Sequence, residues 1–150
     1  MSGTYLHFPK SYRVDDYYFS LIACLVRHEF KRNSHLYSPD RGLKFFVHRV
    51  EKNGWDQSAE GAIDMAAFCG GKETNREFLK CLGNVRRLLL TFDGSFPAEI
   101  DKLLPVGEDP KPFHQMSVKR TRYWLDQLSS LVENYGTFSD ITIIPSPKDS

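Results

Sequence analysis

Residues 17–26 read YYFSLIACLV, an almost unbroken apolar run with Asp15 and Asp16 before it and Arg27, Lys31 and Arg32 after it. Carboxylates suit a helix N-terminus and cations its C-terminus, because the free backbone N–H and C=O groups leave opposite partial charges at the two ends. A helix that is apolar nearly all round has to be enclosed by neighbours. The run therefore predicts a central helix inside a mostly α domain.

Further helical segments surround it in the sequence. After Ser38-Pro39-Asp40, Leu43, Phe46, Val47 and Val50 recur at i, i+3, i+4 and i+7, with Gly54 as the stop. Residues Ser58 to Cys69, rich in Ala and ended by Gly70-Gly71, predict a third helix. Thr74-Asn75-Arg76-Glu77 has the spacing of a capping box, opening a run with Phe78, Leu82, Val85, Leu89 and Phe92 on one face, which Gly83 is placed to kink or to split in two. A short helix is expected from Pro97 to Leu104. A last one starts at Ser117, carries Val118, Thr121, Leu125, Leu128, Val132 and Tyr135 on one seam, and ends around Asn134 and Gly136. Thr4 to Phe8 and Ile141 to Ile144 read as extended, and together can form a two-stranded ribbon. The expected architecture is a compact single-domain bundle of five to six helices over residues 1–144, with a disordered tail at 145–150.

With 150 residues, 41% of them hydrophobic and 26% charged, the chain can bury about 70% of the surface exposed when unfolded, so it needs no staple. Its three cysteines, Cys24, Cys69 and Cys81, form no CxxC pair and lie in apolar patterns. They read as reduced thiols, and the N-terminus lacks a signal-peptide pattern, so a cytoplasmic protein is expected. No apolar run is long enough to span a bilayer, which excludes a helical membrane anchor from this reading. The net charge of +1 conceals an asymmetry: residues 1–92 carry 14 Lys and Arg against 10 Asp and Glu, whereas residues 93–150 carry 6 against 9.

Catalytic chemistry finds little purchase. Cys24 and His28 stand at i, i+4, compatible with two metal ligands, but no residues complete a tetrahedral site. Gly70-Gly71-Lys72-Glu73 lacks the spacing and the Ser or Thr of a phosphate loop. No cofactor is expected.

Three groups of residues are candidates for binding. Cations at the start of the last helix oppose its dipole, and Lys111, His114, Ser117, Lys119, Arg120 and Arg122 could seat an anion or an acidic partner loop there. Adjacent aromatics on helices point about 100° apart, so Phe45 and Tyr123, together with Trp55, are candidates for exposed, partner-binding aromatics. Arg41, Lys44, His48 and Lys52 share one helical stripe and Arg76, Lys80 and Arg87 another; side by side they would make a basic, nucleic-acid-binding surface.

Arg41 and His48, with six residues between them, also match the loose R-x(4 to 6)-H pattern that resembles the HEPN-type ribonucleases, which are all-helical and metal-independent. The resemblance implies that the pair would hold a phosphate and assist attack by a ribose hydroxyl. It covers two residues, and about one such match is expected by chance in this composition. Gly42 stands where those enzymes have a polar residue.

The leading expectation is thus a non-enzymatic intracellular module, of adaptor, inhibitor or immunity type, that binds another protein through aromatic and basic helix faces. A nucleic-acid binder and a small metal-independent ribonuclease or hydrolase are the alternatives.

Overall fold

In the computed structural model, which describes residues 3–8, 11–53, 62–103 and 112–135, the central helix α1 (Asp16–Arg32) is enclosed as its sequence requires. Asp15 caps it, its carboxylate accepting the Tyr17 and Tyr18 backbone N–H groups at 3.0 and 3.2 Å. Every residue from Phe19 to Val26 is buried. The helix packs against α2 (Gly42–Asn53), α3 (Lys72–Leu90) and α4 (Val118–Glu133). The apolar faces read from the sequence supply the core: Leu43, Phe46 and Val47 from α2, Phe78, Leu82, Val85 and Leu89 from α3, Leu125, Leu128 and Val132 from α4. The domain is mostly α, and among the described residues the remaining helical turns are 3-10 segments at Ser34–Leu36, Met65–Ala67, Ala98–Leu103 and Phe113–Gln115.

A small sheet closes one side. Strands β1 (Gly3–His7), β2 (Ser11–Asp15) and β3 (Ala62–Asp64) lie in the order β2-β1-β3, with β1 antiparallel to β2 and parallel to β3. Leu6 faces Tyr12 on one side and Ile63 on the other, and all three are buried. The N-terminal segment is therefore a strand, as expected, but its described partners are β2 and β3. The segment 141–144 and the tail 145–150 lie outside the described residues.

Two expected helical segments take other forms. The stretch read as a third helix over Ser58 to Cys69 contains β3 and a 3-10 turn. Ile63 and Met65 are buried while Asp64 and Ala66 are exposed, a period of two. Asp64 then caps the turn by accepting the Ala66 N–H at 3.0 Å. The short helix expected from Pro97 is a 3-10 segment.

Helix α3 begins two residues before Thr74 and runs unbroken through Gly83. Thr74 acts from inside the first turn, where its hydroxyl accepts the Gly71 N–H at 3.1 Å. α2 starts against the backbone of the β3-α3 connection so closely that a Cβ on Gly42 would stand 1.9 Å from the Phe68 carbonyl oxygen. Glycine is required there by contact, not by backbone angle.

Candidate functional site

The 3-10 turn after α1, the entrance to α2 and one face of α3 enclose a cleft of about 270 Å³ lined by Leu36, Arg41, Glu73, Arg76, Glu77 and Lys80. The four α3 residues fall at i, i+3, i+4 and i+7, the spacing that stacks side chains on one helical face. Arg41 ends the turn before α2, so the beginnings of the two basic stripes read from the sequence, Arg41 on one and Arg76 and Lys80 on the other, meet at this cleft.

Most of the charge there is already engaged. Arg41 pairs with Glu73 at 2.9 Å. Lys80 Nζ donates to the Leu36 carbonyl at 3.3 Å and lies 5.8 Å from the centre of the Tyr37 ring. Arg76 is exposed and has no ion-pair or hydrogen-bond partner among the described residues.

Glu77 is the unusual member. It is only 9% exposed, its Oε2 accepts the Ser38 backbone N–H at 2.6 Å, and its Oε1 is buried without a hydrogen-bond partner. Buried polar atoms nearly always have one.

Behind the cleft, a polar network holds the turn in place. Tyr37, stacked on Phe30 at 5.7 Å between ring centres, donates to Glu29 at 2.5 Å. Asn84 donates to both the same carboxylate oxygen and the Tyr37 hydroxyl, at 3.1 and 2.9 Å. Burial first, and then the bond to Glu29, pushes the Tyr37 phenol well above its ordinary range. It therefore stays a donor at physiological pH.

Along α2 the exposed stripe continues from Arg41 to Phe45, 53% exposed, and to His48, also exposed. Arg41 and His48 are separated by about 10 Å of helix rise, and of the two only Arg41 lines the cleft. Lys44 lies 5.6 Å from the Phe30 ring centre, and Arg87 donates to Asn84. Lys52 belongs to α2, but its side chain and Trp55 lie outside the described residues.

Of the residues grouped at the start of α4, Ser117 and His114 are occupied within the chain. Ser117 caps the helix, its hydroxyl accepting the Arg120 N–H at 3.1 Å, while its own N–H donates to the Tyr18 hydroxyl. His114 is held by Asp101 through both its backbone N–H and its ring Nδ1, at 2.9 and 2.5 Å. Desolvation, which would raise the Asp101 carboxyl, is outweighed by these bonds and the carboxyl lies below its ordinary value. Lys119 is exposed, Arg120 and Arg122 are half-buried, and Lys111 is outside the described residues. Tyr123 is half-buried with its ring edge-on to Trp124 at 5.3 Å.

No protein-family model, curated protein or solved structure matches the chain. Among the described residues no helix is long and apolar enough to cross a membrane, and no three His, Cys, Asp or Glu side chains are grouped to hold a metal ion.

Sequence reasoning found Arg41, Arg76 and Lys80 but missed Leu36, Glu73 and Glu77 as parts of one cleft. The Thr74-x-x-Glu77 spacing pointed Glu77 toward the helix terminus. A carboxylate directly before Phe78, on a helix whose core face also carries Leu82 and Val85, was the available signal of burial.

Proposed function

We propose that this chain is a non-enzymatic binding protein that recognises another protein through the face running from Leu36 across Arg41 to Phe45. The observation that carries this reading is the exposure of Phe45, one helical turn from Arg41 at the rim of the cleft, with Leu36 also 38% exposed. An aromatic and an arginine beside an apolar side chain are the residue types that concentrate at the energetic centres of protein interfaces.

The same face suits nucleic acid less well. Of its cations, Arg41, Lys80, Lys44 and Arg87 contact groups of the chain itself, and the exposed Glu73 sets a negative charge beside them. Three buried cysteines, none of them in a disulfide, support a reducing, intracellular setting.

The test is capture from native lysate with the tagged chain after nuclease treatment, followed by titration of the captured protein against the purified wild type and Phe45→Ala. Phe45→Ala is expected to weaken binding by about tenfold or more without shifting the unfolding midpoint. Loss of every partner on nuclease treatment, or affinity indifferent to both Phe45→Ala and Arg41→Ala, would overturn the proposal.

A further inference from the structure

The charge of the chain is unevenly placed on the fold. Residues 27–52 and 72–80, which run from the second half of α1 through α2 and along the first half of α3, hold ten Lys and Arg against five Asp and Glu. The rest of the chain holds ten against fourteen. These stretches pack together, joined by Arg27 with Glu51 and by Arg41 with Glu73. A surplus of five positive charges is therefore gathered on one side of a chain whose net charge is +1.

Most of the carboxylates there are taken up inside the chain. Glu51 is shared by Arg27 and Lys31, Glu29 bonds to Tyr37 and Asn84, and Glu77 is buried on the Ser38 N–H. Lys44 and Lys80 rest against the Phe30 and Tyr37 rings, neutral contacts that leave their charge uncancelled. Phe45, 53% exposed, follows Lys44 and stands one turn from Arg41, and the exposed Leu36 shares the cleft with Arg41, Arg76 and Lys80.

We infer that the partner protein meets this side with an acidic surface, its carboxylates surrounding an apolar hollow that receives Phe45. The inference deepens the protein-binding reading and rests on it for Phe45 as the anchor. Exposed ion pairs add little each once formed, so the charge acts mainly on encounter: complementary potentials speed association and turn away basic surfaces. A buried aromatic then slows dissociation. A nucleic acid or a lipid surface is negative throughout and would also face the exposed Glu73, whereas a folded protein can place a neutral or basic group there.

The experiment is a titration of the ¹⁵N-labelled chain followed by amide chemical shifts. The probes are poly-L-glutamate, a random copolymer of glutamate and tyrosine, duplex DNA and phosphatidylserine vesicles. Saturable shifts at Leu36, Lys44, Phe45, Arg76 and Lys80 are expected with both polypeptides, tighter with the copolymer and lost as salt is raised. Lys119 and Arg122, cations at the start of α4, should not respond. Phe45→Ala is expected to remove the advantage of the copolymer. Arg76→Gln and Lys80→Gln should each weaken poly-L-glutamate binding about two- to fivefold.

An absent response, equal shifts at Lys119 and Arg122, or indifference to salt overturns the inference. Tighter binding of DNA or vesicles than of the copolymer does so too, since it assigns the side to nucleic acid or to lipid. The same shifts on concentrating the chain alone assign it to a second copy instead. If the captured partner binds in a Phe45-dependent way at a rate indifferent to salt, the acidic complement falls and the protein-binding reading stands. If poly-L-glutamate binds here while partner binding ignores Phe45, the acidic complement stands and the reading centred on Phe45 falls.

Discussion

Glu77 on α3 accepts the backbone N–H of Ser38 at 2.6 Å, joining two positions 39 residues apart in the sequence. The bond fixes the chain just before α2 against the middle of the first turns of α3. Glu77→Ala leaves that N–H without its acceptor and is expected to cost about 1–3 kcal/mol, whereas Glu77→Gln keeps an acceptor and should stay within about 1 kcal/mol of wild type. Urea unfolding of the two variants checks this; equal losses would show that the bond carries little of the stability.

Two glycines in helices should respond to alanine with opposite signs. A Cβ at Gly42 meets the Phe68 carbonyl oxygen at 1.9 Å and its carbon at 2.6 Å, both backbone atoms, while one at Gly83 meets nothing within 4 Å. Gly42→Ala forces α2 away from its neighbour and should destabilise by about 1–3 kcal/mol or more. Gly83→Ala should stabilise by about 0.5–1 kcal/mol, since alanine loses less conformational freedom inside a helix. Thermal or urea midpoints of the pair give the answer.

All three cysteines are buried. Burial pushes the Cys69 thiol up to about 12, with the nearby Asp64 charge adding to the effect, and burial likewise raises Cys81. Since the thiolate is the reactive form, a thiol reagent such as Ellman's should label the native chain only at the rate of its opening. Three equivalents should react promptly in denaturant. Fast stoichiometric labelling of any one thiol in the native state would contradict its burial.

Glu51 on α2 joins α1 through Lys31 at 2.8 Å and Arg27 at 3.2 Å. The hydrogen bond from Lys31 is the largest influence, desolvation opposes it, and the carboxyl lies below its ordinary 4.5. Because the folded value is depressed, the contribution is present above the unfolded value and lost as pH falls through the folded one. Both cations are substantially exposed, so Glu51→Gln should cost no more than about 1 kcal/mol. That difference should be full near pH 6 and shrink as the pH falls below the ordinary 4.5 and through the depressed folded value. Denaturant midpoints across this range test the sign; a gap that widens on acidification would refute the assignment.

What the sequence made legible was local. Asp15, the buried run through Val26, and Ser117 with Asn134 at the ends of α4 each act within a few residues of themselves. β3 was not legible, because three residues with alanine-rich neighbours carry too little periodicity and their pairing with β1 is distant in sequence. The cleft falls between these cases. Arg41, Arg76 and Lys80 were visible as helix stripes, but their meeting depends on how α2 packs on α3. Glu77 was hidden because its partner is Ser38, beyond the reach of any local motif.

The strand order carries a consequence for the birth of the molecule. β1 leaves the ribosome before either of its partners, yet it lies between them, and its pairings Tyr5 with Ala62 and Leu6 with Ile63 await residues made 57 positions later. The β1-β2 hairpin is available almost at once, but one edge of β1 stays open until α1 and α2 have been synthesised. For that interval the nascent chain displays an unpaired edge beside Leu6, the kind of template on which chains pair with one another. Closure by β3 is a long-range event, and pairings between segments distant in sequence are slow to form and leave strand edges open to aggregation in the meantime.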